Sequence, residues 1–202
     1  MRSLALAATI FLLSSTLSYA QQFDPAFGLS GLTAPSASSA ATSTTYQPQA
    51  ISGGVFPSVS GDFLFTKFHV GVNGNVAWRG GQANYEPLLY GNTLPYRPIF
   101  YTFNGIFAPQ LNKRITLEMY GGLGGESTRF YGTVNCSFAG CTNYTSTHHL
   151  LGDVGGGVRF YLWNRLFVRP EAQVYFVRHN FEFSGATATR AGISVGYTFG
   201  NR

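Results

Sequence analysis

The chain has 202 residues, with 13 Lys and Arg against 8 Asp and Glu for a formal net charge of +5, and charged residues make up only 10% of it. Soluble globular domains carry about 25%, so a surface wholly bathed in water is a poor fit, and the lack of any Lys/Arg run argues against nucleic acid as a partner. Aromatics reach 16% and glycine contributes 25 residues, a composition suited to a wall whose outer side meets lipid.

The opening MRSLALAATIFLLSSTLSYAQQ sets Arg2 before an apolar run from Leu4 to Leu13 and closes on small residues at Ser18-Tyr19-Ala20. That is the pattern of a cleavable export signal over residues 1–20. Its apolar core is short for a helical membrane span of about 20 residues, and no later segment offers such a span. Residues 21–45 end in APSASSAATSTT, which has little to bury, and are expected to be a flexible segment. Residues 46–202 then form a single domain of alternating runs divided by turn residues.

Three connections read as tight, at Thr66-Lys67, Asn112-Lys113 and Trp163-Asn164; longer polar ones run from Gly80 to Tyr96, from Gly132 to Ser146 and around Ser184-Gly185-Ala186. Short and long connections alternate, as in transmembrane barrels with short turns on one side and loops on the other. Along the runs the side chains alternate with a period of two. Val70, Val72, Val76 and Trp78 oppose His69, Asn73, Asn75 and Arg79; Ile99, Tyr101, Phe103 and Phe107 oppose Phe100, Thr102, Asn104 and Ala108. Ile115, Leu117, Met119 and Leu123 oppose Thr116, Glu118, Tyr120 and Glu126. Leu150, Val154, Val158 and Phe160 oppose Asp153, Arg159 and Tyr161; Leu166, Val168, Val174 and Phe176 oppose Arg169, Glu171, Gln173 and Tyr175.

The charges follow one rule: Asp62, Arg79, Glu118, Glu126, Asp153, Arg159, Arg169 and Glu171 all fall on the polar face. The apolar face is too bulky for a narrow lumen, and the polar face is rich in glycine, which suits a crowded interior. The reading is apolar outward and polar inward, with the eight charged residues pairing across the lumen because an unpaired buried charge is costly. Parity of the connections requires one more strand before the run ending at Phe65, and residues 43–53 are expected to supply it, despite Pro48. The fold class is then an all-β antiparallel transmembrane β-barrel of eight strands, closed because unpaired backbone groups are expensive in hydrocarbon.

From about residue 45 to 199 the chain resembles the small bacterial outer-membrane β-barrels of the OmpA-barrel and OmpX type, on the export signal, the alternating strands and the ending GISVGYTF. The resemblance implies location in the bacterial outer membrane, with outer-membrane lipid as surroundings. It also implies that Tyr197 and Phe199 form the closing-strand aromatic signal read by the barrel-insertion machinery during biogenesis. Ser194 stands where these families usually have Gly, and Gly200-Asn201-Arg202 trail the aromatic. Tyr161, Trp163, Phe167, Tyr197 and Phe199 near strand ends are expected to line the membrane interface.

Cys136 and Cys141 are the two cysteines, and in an exported chain they are expected to form a disulfide rather than a metal site. His148 and His149 are adjacent in a run, so they point to opposite faces and cannot serve one site. His69 and His179 fit a polar network, and no His-x-Ser of the kind found in lipid A deacylases occurs. The sequence therefore gives no catalytic, cofactor-binding or metal residues, no cofactor and no enzyme. The expected function is a monomeric structural or surface-binding, adhesin-like barrel with a filled interior. Tyr85, Tyr90, Phe138 and Tyr144 are candidate contacts on its external loops, for a ligand the sequence does not name. A narrow porin-like channel, a lipid-modifying enzyme and a soluble ligand-binding barrel are the alternatives.

Overall fold

The structure is a computed structural model and describes residues 21–35, 49–51, 53–86, 93–137, 140–178, 183 and 186–200, with the backbone alone at 133–137 and 140. Its strands are β1 (Gln21–Thr33), β2 (Gly54–Phe65), β3 (Val70–Trp78), β4 (Ala83–Tyr85), β5 (Leu94–Phe107), β6 (Gln110–Asn112), β7 (Ile115–Ser137), β8 (Gly140–Tyr161), β9 (Leu166–Val177), β10 (Thr187–Tyr197) and β11 (Phe199–Gly200). Eight of them form the wall, in the order β5-β3-β2-β1-β10-β9-β8-β7, and β7 pairs back onto β5. Every pairing is antiparallel, so each wall strand has two neighbours and the sheet has no edge. The short β4, β6 and β11 extend neighbouring strands at the rims.

The eight-strand closure stands, but its first strand is not where the spacing put it. β1 occupies Gln21–Thr33, inside the segment expected to be flexible, and the described residues of 43–53 (49–51 and 53) belong to no strand. The run FDPAFGLSGL alternates as the other strands do. Phe23, Phe27 and Leu29 are exposed on the outside, while Asp24, Ala26, Ser30 and Leu32 are buried. Pro25, opposite Gly61 in the register, masks that alternation, because proline lacks the N–H a ladder uses. The export signal expected over residues 1–20 lies outside the described residues.

The connection expected from Gly132 to Ser146 is also corrected. β7 and β8 run on, 23 and 22 residues long, as a hairpin that climbs beyond the other strands. β5 accompanies β7 only as far as Phe130, and the β8–β9 register begins at Leu151. Thr142, Tyr144 and Thr145 suit a strand, but neither side of this stretch is apolar, so it reads as a loop in sequence.

The wall is inverted relative to a soluble barrel. Phe103 and Leu123, outward at mid-height, are each 65% exposed, while Arg159, Arg169 and Arg190 are 0%, 1% and 1% exposed inside. The lumen is filled in layers, as expected for eight strands. Beneath the long connections lies an apolar layer that includes Phe56, Tyr96, Phe100, Leu151, Tyr175 and Phe183, with Phe100 stacked on Tyr175 at 4.8 Å. Charged and amide side chains fill the middle. Near the short turns, Ala26, Tyr161 and Phe167 close the bottom. Tyr161 and Phe167 are thus buried plugs and not interfacial aromatics. Gly196 makes room for this plug, since a Cβ there would run into the Phe167 ring.

Candidate functional site in the lumen and at the rim

The charged layer is built by inward positions of β1, β2, β7, β8, β9 and β10. Arg159 reaches three carboxylates at once: Asp24 on β1, Asp62 on β2 at 2.6 Å, and Glu118 on β7. Its guanidinium also lies 4.8 Å from the centre of the Phe167 ring, a favourable face for a cation. Arg169 sits 2.7 Å from Asp62, 3.2 Å from Glu118 and 2.9 Å from Glu171, and donates to the hydroxyls of Ser60 at 2.8 Å and Ser194 at 3.1 Å. Arg190 continues the chain, 3.2 Å from Glu171 and donating to Gln173 at 2.9 Å.

Amides and hydroxyls complete the network. Asn73 donates to Asp62, Gln22 donates to Asp24 at 2.6 Å, and Gln173 donates to Asp153. Thr128 donates to Glu126 at 2.9 Å. Two rigid planar forks facing several carboxylates is an arrangement that arginine, and not lysine, supports.

Of the eight expected interior charges, Asp62, Glu118, Arg159, Arg169 and Glu171 meet in one cluster. Asp153 joins it through Gln173, and Glu126 is buried one level higher against Thr128. Arg79 is the correction. It lies just past the end of β3, where its guanidinium donates to the carbonyls of Gly53 and Gly81. The alternation had run past the strand. Asp24 and Arg190 were missed: Asp24 lay in the supposed flexible segment, and Arg190 is four residues upstream of Ser194 on the same inward row of β10. Extending the alternation of the C-terminal run by that distance finds it.

Below this layer a cavity of about 60 Å³ opens between Gln22, Leu64, His69, Gln110 and Tyr161. His69 is an exposed turn residue with φ of 56°. No group of three or more His, Cys, Asp or Glu among the described residues could hold a metal ion.

The rim at the other end carries the surface candidates. Tyr85 turns inward and packs on Tyr96, Phe130 and Phe183 at 6.3, 5.2 and 5.5 Å, so it belongs to the apolar layer and not to a contact surface. Tyr144 lies on the projecting hairpin, 6.0 Å from Tyr131. Cys136 stands directly opposite Cys141 in the hairpin register. His148 is exposed and His149 is half-buried, on opposite faces of β8. Tyr90, Phe138 and His179 lie outside the described residues. At the turn end, Trp163, Tyr197 and Phe199 point outward; Tyr197 and Phe199 meet edge to face at 4.9 Å, and Phe199 stacks on Phe23 at 6.5 Å.

No protein-family model matches the chain, and no curated protein sequence matches it. Solved structures do. Ail, the attachment invasion locus protein of Yersinia pestis, solved in complex with the heparin analogue sucrose octasulfate, is 13% identical with a TM-score of 0.55, covering 89% of this chain and 99% of Ail. Neisserial surface protein A (NspA) is 6% identical with a TM-score of 0.59, covering 89% and 97%. The outer membrane protein OprG of Pseudomonas aeruginosa is 13% identical with a TM-score of 0.53, covering 91% and 98%. At such identities the likeness is one of architecture: the chain has the fold of the small bacterial outer-membrane β-barrels.

Proposed function

We propose that this chain is a monomeric protein of the bacterial outer membrane whose filled barrel anchors a binding surface built from the β7–β8 hairpin and the long connections. The observation that carries the reading is the inversion of the wall. Large apolar side chains ring the outside of a closed barrel, and three arginines are buried within it. In water that arrangement would expose a large apolar area that soluble proteins avoid; in a bilayer it is the stable one.

The export signal at residues 1–20 and the aromatic ending at Tyr197 and Phe199, as a mark for the insertion machinery, belong to the same reading. So does a Cys136–Cys141 disulfide, supported by their opposition in the register. A bridge closing so small a loop orders the hairpin tip more than it stabilises the fold. The packed lumen favours an anchor over a channel, since a row of interlocked side chains leaves no solute path.

The test is fractionation of the expressed chain, with unboiled and boiled samples compared on a gel. Recovery in the outer-membrane fraction with a shift on boiling supports the reading; a detergent-free soluble chain overturns it. For the surface, a shortened hairpin lacking residues 132–143 should keep the gel shift and lose binding of cells or sulfated polysaccharide, the latter being the first ligand to try. Binding that survives the deletion would remove the hairpin from the proposal.

A further inference from the structure

The lumen holds more negative charge than its arginines balance. Among the described residues six buried carboxylates face three buried guanidiniums, those of Arg159, Arg169 and Arg190. Counting His149, opposite Glu126 in the register, as a fourth cation still leaves the carboxylates in excess. Asp24, Asp62, Glu118 and Glu171 each meet a guanidinium directly. Asp153 does not. Its Oδ2 accepts from Gln173, while its Oδ1, in a residue 3% exposed, has no hydrogen-bond partner. Arg190, whose charge acts on Asp153, is bonded instead to Glu171 at 3.2 Å and Gln173 at 2.9 Å. Asn104 on β5 lies beside Asp153 and supplies a second such atom. Its amide nitrogen donates to Asn73 at 3.2 Å and to the Thr102 hydroxyl at 3.3 Å, and its fully buried Oδ1 has no donor. Gly122 on β7 stands between the two in one register row, opposite Asn104 on one side and Asp153 on the other. Asn104 Oδ1 sits where a side chain on that glycine would go, since a Cβ there would fall 2.4 Å from it.

We propose that Asp153 and Asn104 form a seat for one positive charge, a proton or an alkali-metal ion, in the space beside Gly122. The inference depends on the closed lumen and not on what the external surface binds. A water donating to both oxygens would satisfy their hydrogen bonding and leave the charge uncompensated, which is costly in a buried setting. A proton on Asp153 turns one of two facing acceptors into a donor. An alkali ion takes both oxygens in place of part of its hydration shell. The seat uses one carboxylate and one amide oxygen, so it is no multi-histidine or multi-carboxylate centre. Once filled, it ties β5 to β8 across β7, where Gly122 offers no side chain.

The test is equilibrium unfolding in urea of the full chain, D153N and N104S, each folded in neutral detergent micelles. One arm varies pH at fixed sodium; the other replaces N-methylglucamine by sodium or potassium at fixed pH and ionic strength. A charge bound by the folded state alone changes the folding equilibrium constant by up to about tenfold for each tenfold change in its free concentration. If a proton fills the seat, the wild type loses stability as pH rises from about 5 to about 9 and ignores the identity of the cation. If an alkali ion fills it, the wild type gains stability as sodium or potassium replaces the organic cation. D153N, of the same shape without the charge, should be flat in the arm to which the wild type responds. N104S withdraws the second oxygen and should weaken that response, which keeps the test open should D153N not fold. The neighbouring titratable groups are common to all three chains: His149 and Glu126 above, Tyr120, Tyr175, Glu171 and Arg190 beside and below. The difference between chains therefore reads the seat. A wild type indifferent to both arms overturns the proposal and would mean that Arg190 alone compensates Asp153. A response that persists in full in the variants overturns it as well.

Discussion

Arg159 on β8 and Asp62 on β2 stand four strands apart in the ring of eight, on opposite sides of the barrel, yet their side chains meet at 2.6 Å. The contact spans the lumen, and Arg159 holds Asp24 and Glu118 in the same grasp. Replacing Arg159 by Ala would leave three buried carboxylates short of a cation, and removing one partner of a buried pair costs about 3–5 kcal/mol. Equilibrium unfolding in urea, in micelles, should show a loss of that order. Arg79→Ala, near the mouth and bonded to backbone carbonyls, should lose clearly less. Equal effects would mean the network is not the interior cross-brace described here.

The outward wall makes a prediction of opposite sign from that for a soluble barrel. Leu123 is outward at mid-height, so Leu123→Arg should destabilise the folded protein in lipid by about 2–4 kcal/mol, whereas Thr142→Arg, beyond the apolar wall, should cost about 0–1 kcal/mol. On a water-exposed surface the Leu123 change would be neutral or improve solubility. Unfolding of the two variants in lipid vesicles distinguishes the cases.

Closure through β1 is equally testable. β1 pairs with β2 along 12 positions and with β10 along eight. A chain refolded without residues 1–33 would leave two open edges, each unpaired group costing several kcal/mol in hydrocarbon. Such a chain should show no boiling-dependent gel shift, while one lacking residues 36–45 should keep it.

The stacked pair of Phe100 and Tyr175 above the ion layer gives the lumen two successive plugs. In planar bilayers the wild type should therefore show no steady single-channel conductance. Phe100→Ala should not open one either, because the arginine layer remains beneath it. Stable channels in the wild type would contradict a filled interior.

These tests also show which parts of the molecule the sequence makes legible. Strands such as β5 and β9 are visible because every second side chain is apolar, and the same alternation places Asp62, Arg159 and Arg169 inward, while the count of eight comes from the parity of the connections. β1 is hidden by Pro25 and by the Ser/Ala-rich stretch that follows it. The upper halves of β7 and β8 are hidden for a different reason: beyond the apolar wall nothing forces one face to be apolar, so Thr142 to His149 carry no alternation. Tyr161 and Phe167 were misplaced because aromatic residues near strand ends serve equally as interfacial rings or as plugs; the parity of Arg159 and Arg169 decides between them. Arg79 shows the converse error, an alternation followed beyond the last paired residue.

The central claim is that the outward face of this closed barrel touches lipid, and one measurement reads that contact. Phe103→Trp in a background of Trp78→Phe and Trp163→Phe, the chain's two tryptophans, places a single fluorophore at the middle of the outward wall. In vesicles of brominated lipid, its fluorescence should be quenched most by bromine deep in the acyl chains and little by aqueous iodide. Strong quenching by iodide, with none from brominated chains, would contradict the claim.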